Sequence, residues 1–513
     1  MIKKATKPLF TGSEWDVKDL HSMWDIINQI GTEELNLTYA EPRIEIVTYE
    51  QMIDAYSYTG MPLMYNHWSF GKQSAQIQKA YANNEQGLAY EMVINTDPMV
   101  THIMENNSAT MQALVLAHAV VGHGSFFKNN YLFKMWTNPK TIIPYLQYAK
   151  SYIEKCEEEY GYYQVTSLLD ACHSLAGYGV DRYRKREKRK KKDHMKRIQE
   201  WQDYGENSQS ELDITLPYKT TRKKDRHITN TIEKLKYRSE ITLPEENILY
   251  FIEKHSRGLK GWEKEIVRIV RKVEQYFYPQ RQTKIMNEGW ATFVHHHIMT
   301  RLWELGYITE GSYLEFLHSH SAIVGQVTHE SDHYGGLNPY AIGFSMFTDL
   351  KRMCENPTEQ DKVECPSVAG KPWLPTLTGI MENYRDDGFL LQFLGSQVVN
   401  RYKLFVVESE SNSDYYTISA THDSEDLGIV RKKLHEHYTL DNMIPSIEVQ
   451  RVAKPNDKLV LRYRMVNDRI LDSEETLKVL EYIESLWGGE VMLEFLDMSG
   501  DIVGTVFIGD DDE

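Results

Sequence analysis

Residues 111–122, MQALVLAHAVVG, are apolar on nearly every side. Folded as a helix, such a segment offers no face to water and has to run through the middle of a core. Its longest uncharged apolar run, residues 113–121, contains His118 and is far short of the ~20 residues that a membrane-spanning helix needs. The segment therefore predicts a body of helices packed around it.

The flanking sequence supplies those helices. Ser13 is placed to cap a helix over 14–30, with Trp15, Leu20, Trp24, Ile27 and Ile30 on one stripe. Residues 43–48, RIEIVT, alternate like a short strand, and the rest of 14–180 reads as mostly helical. Further helices are predicted over 145–159, 163–175, 245–254, 262–278, 280–305, 313–324 and 340–354, with Pro279 separating two of them. Between these runs the composition breaks. Nine of the eleven residues 182–192 are Lys or Arg, and the stretch to about 226 carries little apolar periodicity. That pattern predicts a solvated insertion, or a docking site for phosphate or an acidic partner. After residue 400 the texture changes to strands over 402–408, 415–419, 446–452, 458–464, 491–496 and 502–508, with helices over 427–437 and 474–486. Residues 401–513 hold 24 acidic and 12 basic side chains, a net of −12. The expectation is a mainly α protein with a C-terminal α+β module. Its parts are a helical body in two pieces, 1–180 and 227–400, a basic insertion over 181–226, and an acidic domain over 401–513.

Charge and cysteine usage narrow the function. Lys and Arg number 58 against 74 Asp and Glu, a net charge of −16, which argues against a nucleic-acid coat. The first residues, MIKKATKPLFTGSEWD, have no apolar segment behind their lysines and do not read as a secretory signal. Cys156, Cys172, Cys354 and Cys365 are scattered, so neither a disulfide framework nor a cysteine-based zinc site is expected. A soluble protein of a reducing, cytoplasmic compartment is the resulting expectation.

Chemistry is concentrated in histidines that fall in apolar segments. An imidazole inside a buried helix has to hydrogen-bond or bind a metal, because an unsatisfied buried polar group costs ~1–3 kcal/mol. His118 and His123 lie five residues apart, ~140° around a regular α-helix. A π-bulge, or a break at Gly122, would bring them to one face. A second group is NEGWATFVHHHIM, where Glu288 precedes His295, His296 and His297, and Gly289 leaves room for close approach of another helix. Glu288 and His295 are two helical turns apart, ~10.5 Å along the axis, too far to share an ion. Two carboxylate-x-x-His pairs, Asp170/His173 and Glu315/His318, have the spacing of helical two-metal sites. A literal His-Glu-x-x-His over 329–333 lies among glycines without an apolar face and reads as an exposed loop.

Longer motifs carry a resemblance. They are GMPLMYNHWSFGK at 60–72, YEMVINTDP at 90–98, HAVVGHGSFFKNN at 118–130, GVDRY at 179–183, YFYPQRQ at 276–282 running into NEGWATF at 287–293, and NPYAIGF at 338–344. In this order, from about residue 10 to the C-terminus, they resemble the stage V sporulation protein R family, SpoVR. The resemblance implies a part in spore cortex formation or stress physiology, although the family also occurs in bacteria that make no spores. It also implies the genomic company of a PrkA-type serine protein kinase and an associated protein. No reaction defines the family. His118-x-x-x-x-His123 with a later Glu288-Gly-Trp-Ala is further similar to a distorted zincin site. That similarity implies His118, His123 and Glu288 as ligands of zinc or another divalent metal. The residue following the first histidine, the general base of zincins, is Ala119 here, so a base such as Glu91 or His173 has to come from elsewhere. Three readings stand at this point: a metal-dependent hydrolase with one ion, a two-metal carboxylate site, and a non-enzymatic regulatory or scaffold protein acting beside a kinase.

Overall fold

The computed structural model describes residues 2–57, 64–70, 72, 79, 91–183, 243–332, 334–409, 416–423, 425–454, 456–466 and 469–509. It is mainly helical, and the chain forms two compact units: Met1–Asp170 with Lys272–Pro445, and Ala171–Arg271 with Ser446–Glu513. Among the described residues no helix is long and apolar enough to cross a membrane.

The first unit begins with α1 (Val17–Gln29), which buries Leu20, Met23 and Ile27. Its cap is Asp16 and not Ser13. The Asp16 carboxylate accepts from the amides of Lys18 and Asp19, and Asp19 reaches back to the Asp16 amide, so two otherwise unpaired donors are satisfied reciprocally. The Ser13 carbonyl instead accepts from the amide of Ala109. A three-stranded sheet follows, built from β1 (Pro42–Val47), β2 (Glu91–Ile94) and β3 (Met99–Met104) in the order β1-β3-β2. β1 runs parallel to β3 and β2 antiparallel, with Glu91 opposite Ile103. β2 and β3 were not legible as strands, being short runs split by a polar Asn-Thr-Asp-Pro turn.

The apolar segment lies where its composition requires. α2 (Ala109–Val115), capped by Ser108, passes without interruption into a π-helix, Leu116–His123, and every residue of both is buried. The long helix α3 (Lys284–Glu304) packs along it. A Cβ on Gly122 would come within 2.6 Å of Ala291 Cα, so glycine is what allows the contact. α4 (Glu310–Ile323) and α5 (Pro339–Glu355) complete this group, with α5 capped by the Asn338 side chain.

The start of α3 differs from expectation. Helix Gly261–Gln282 continues through Pro279 and stops only at Thr283, whose hydroxyl donates to the Pro279 carbonyl at 2.8 Å. Proline in a final turn removes a single backbone bond, whereas Thr283 competes for a carbonyl and leaves helical geometry. The first amides of α3 are taken by a buried carboxylate from α6 (Asp386–Phe393): Asp386 accepts from Ile285 and Met286, each at 2.9 Å.

The C-terminal portion divides at a different point from the composition break at 400. Hairpin β4 (Val406–Ser409) and β5 (Tyr416–Ala420), with α7 (Leu427–Tyr438), falls in the first unit, because Val406, Ala420, Leu427 and Val430 bury their side chains in its core. The second unit holds a four-stranded sheet of β6 (Ile447–Ala453), β7 (Lys458–Arg464), β8 (Val491–Leu496) and β9 (Ile502–Ile508), in sequence order with only β7 and β8 parallel. α8 (Ser473–Trp487) makes the parallel crossover and ends at Gly488 in the left-handed region. In the same unit, buried Glu253 is held by Arg268 and Arg271.

Of the basic run, residues 184–192 lie outside the described residues. Arg182, its first member, is buried rather than solvated. Its amide donates to Glu246 at 3.0 Å and its guanidinium stands over the Tyr178 ring.

Candidate metal centre

The π-helix decides the geometry. Its backbone bonds run from residue i to i+5, so residues five apart stack on one side of it. His118 and His123 are such a pair, and their rings meet edge to face with centroids 4.6 Å apart. From the sheet, the first residue of β2 brings Glu91 Oε1 within 3.3 Å of His118 Nε2. From α3, Glu288 Oε2 lies 3.4 Å from His123 Nε2 and 3.8 Å from His118 Nε2. Four side chains from three elements of the first unit thus converge. Glu91, His118 and His123 offer ligand atoms all within 4.8 Å of one another, close enough to hold a metal ion.

Both imidazoles turn the same edge to the carboxylates. His123 Nδ1 donates to the Asn287 side-chain carbonyl at 3.0 Å, and His118 Nδ1 lies 2.8 Å from His295 Nδ1. Each Nε2 is therefore left for the centre, with the other nitrogen anchored, as metal-ligating histidines require. Two donors held ~2.1 Å from a tetrahedral ion lie about 3.4 Å apart, so the observed 3.3, 3.4 and 3.8 Å suit one ion. Glu288 Oε2 is buried without a well-formed hydrogen bond, an arrangement that a cation would relieve.

Electrostatics separate the two carboxyls. Burial, then the negative charge of Glu288, push Glu91 well above the ordinary carboxylate range. Burial also acts to raise Glu288, but His123, His118 and the Tyr340 hydroxyl outweigh it, and Glu288 sits below its ordinary value. Burial lowers His118 to about 4, which keeps it neutral and able to donate a lone pair. The aromatic walls are Tyr340, stacked on His118 at 6.2 Å, and Phe127, stacked on His123 at 5.9 Å.

The other sequence candidates lie elsewhere. His173 belongs to the second unit. Asp170 accepts from His67 Nε2 at 3.1 Å and Trp68 Nε1 at 2.6 Å. Glu315 is exposed and accepts from Ser108 Oγ, and His318 is exposed too, so neither joins the centre. His296 packs against His320 and Phe344, and His297 against Trp373. His329 and Glu330 are exposed in a turn, outside any helix, and His333 lies outside the described residues. Asn287, His320 and Tyr340 were not singled out from sequence. Asn287 and Tyr340 stand inside the motifs NEGWATF and NPYAIGF, where a side chain able to anchor a ligand next to Glu288 was the available signal.

A family model described as SpoVR like protein matches residues 14–443, and one described as SpoVR-like C-terminal domain matches residues 445–498. The chain belongs to the SpoVR family. A family relative from Escherichia coli (strain K12), described as uncharacterized protein YcgB, is 44% identical over 502 residues, covering 98% of this chain and 96% of its own. No solved structure matches. The boundary between the two family models, 443 to 445, falls where the compact units part, at Pro445. None of these descriptions states a reaction, so the chemistry has to be argued from the centre itself.

Proposed function

We propose that this protein is a metal-dependent hydrolase whose ion is held by His118, His123 and Glu288. The observation that carries the reading is that two imidazoles, each anchored at Nδ1, point Nε2 at one carboxylate, Glu288, whose Oε2 is buried. A zinc or similar divalent ion there would supply Lewis-acid activation of a substrate oxygen. Glu91 takes the part of a proton carrier where the zincin glutamate is absent. Its Oε1 lies 3.3 Å from His118 Nε2, and its environment favours the protonated carboxyl while Glu288 stays ionised. Two carboxyls driven apart in this way divide into a ligand and a proton carrier. Glu91 and Glu288 each retain some exposure, 15% and 17% of their side chains, which leaves a substrate a way in. His173 has no role in this reading.

Elemental analysis of the purified full-length protein, followed by zinc(II), manganese(II) and iron(II) titration, tests it. One ion per chain is expected, lost in His118→Ala and Glu288→Ala and retained in Glu91→Gln. The metal-loaded protein should hydrolyse members of a peptide, ester and phosphoester panel, and Glu91→Gln should not. A chain that takes up no ion under any of these conditions overturns the proposal.

A further inference from the structure

We infer that His295 and His320 are positioning residues that fix the tautomer and ring orientation of His118 toward the ion. The inference rests on the metal-site reading above. Glu288 and His295 are seven residues apart on α3, two turns along one face, and they address opposite edges of the same ring. Glu288 lies near His118 Nε2, while His295 Nδ1 lies 2.8 Å from His118 Nδ1. On its far side His295 Nε2 lies 3.0 Å from Nδ1 of His320, which α4 contributes. The three rings are 5%, 0% and 6% exposed, too little for water to replace any of these bonds. Phe316 packs on both His295 and His320, and Phe344 on His320, which closes the sleeve around them.

Proton counting then fixes the whole chain. A neutral imidazole carries one N–H, and each N···N bond needs one donor and one acceptor. With His118 Nε2 presented to a cation, its proton is on Nδ1 and is donated to His295 Nδ1. The His295 proton is then on Nε2 and is donated to His320 Nδ1, which leaves the His320 proton on Nε2. A single ligand assignment sets three tautomers in register. The reverse register would place a proton on His118 Nε2 and block the ion. Metal binding and the direction of the chain are therefore linked, and α3 and α4 together hold a ring whose position the π-helix alone would not fix.

The test is zinc(II) and cobalt(II) titration of the metal-free full-length protein, with the His118→Ala, His295→Ala, His295→Gln and His320→Ala variants and histidine-selective 15N NMR. Loss of an outer partner typically weakens metal binding by roughly 10–100-fold, and that is the expected effect of His295→Ala. His295→Gln, whose side-chain carbonyl can accept from His118 Nδ1, should recover much of it. His320→Ala should alter the cobalt(II) absorption bands less than His295→Ala does. In the zinc-loaded wild type, the NMR spectra should show His118 protonated at Nδ1, and His295 and His320 at Nε2. Should His295→Ala fail to fold, the glutamine variant and the NMR tautomers still decide the matter. Wild-type affinity in both His295 variants, or a different tautomer pattern, overturns this inference alone when His118→Ala has lost the metal. Retention of metal by His118→Ala overturns the site reading beneath it.

Discussion

Gly289 and Gly343 touch backbone to backbone where α3 crosses α5. A Cβ built on Gly289 would stand 2.4 Å from Gly343 Cα, and one built on Gly343 would stand 2.3 Å from the Ile285 carbonyl. Neither obstacle is a side chain that can rotate away. Gly289 directly follows Glu288, so the crossing that sets the helix spacing also sets where the carboxylate sits.

Gly289→Ala should therefore act on fold and site together. Overpacking of this kind typically costs ~1–3 kcal/mol, and the obstacle here is backbone, which favours the upper end. Urea denaturation should show the loss of stability, and the surviving folded protein should bind zinc(II) more weakly than wild type. Wild-type stability with wild-type metal binding would mean that the helices separate without disturbing Glu288.

Asp386 is the second control on α3. Its carboxylate is buried and accepts from the amides of Ile285 and Met286, two turns or less from Glu288. Asp386→Ala leaves those amides unpaired in the interior, at roughly 1–3 kcal/mol. Burial raises the Asp386 carboxyl to about 7, against the pull of the two amides. A carboxyl raised on folding contributes most below its unfolded value, ~3.9, and that contribution is lost as pH rises toward 7. Thermal melts of Asp386→Asn should lack this descending component between about pH 4 and 7. An unchanged pH profile would show that Asp386 titrates as an ordinary surface carboxyl.

Much of this architecture is readable in the sequence, for reasons that differ by element. Strands β7, β8 and β9 match their predicted limits because their apolar residues alternate and turns bound them. The helical body is legible because its apolar residues recur at helical spacing over long runs. The pairing of His118 with His123 was legible only as a condition: five-residue spacing serves one ion only if the helix widens, and the segment is a π-helix. Glu91 was nameable as a carboxyl, but its place depends on the β2–β3 pairing of two runs too short to announce themselves. His320 was invisible for a different reason. It meets His295 across two separate helices, and no periodicity within one segment encodes such a contact.

Glu91→Gln separates a proton carrier from a fourth ligand. At 3.3 Å from His118 Nε2, Glu91 is near enough to bind the ion directly. If it carries a proton instead, the glutamine variant should keep one zinc(II) per chain with affinity within about tenfold of wild type, while hydrolysis disappears. Isothermal titration calorimetry gives the affinity. A collapse comparable to that of Glu288→Gln would make the centre a closed four-ligand site, the form that structural zinc takes.

Asp361 supplies the clearest acid-sensitive contact. Its carboxylate takes both arms of Arg352, each at 2.8 Å, and also accepts from the amide and hydroxyl of Thr358 at 2.7 Å. Arg352, followed by the Thr358 bonds, outweighs burial and holds Asp361 well below the usual carboxylate range. A carboxyl lowered on folding stabilises the fold fully above its unfolded value of ~3.9, and that stability is lost as pH falls through the folded value. At neutral pH, Asp361→Asn should cost about 2–4 kcal/mol, somewhat below a fully broken buried pair because Arg352 keeps its bond to Asp349. Below about pH 4 the difference should shrink, as first the unfolded and then the folded wild-type carboxyl takes up its proton. Urea midpoints of the two proteins measured from pH 7 down to about pH 2 should therefore run parallel above about pH 4 and converge below it. Parallel lines over that range would show that the Arg352 fork is equally strong to a neutral partner, and that the ion pair adds nothing.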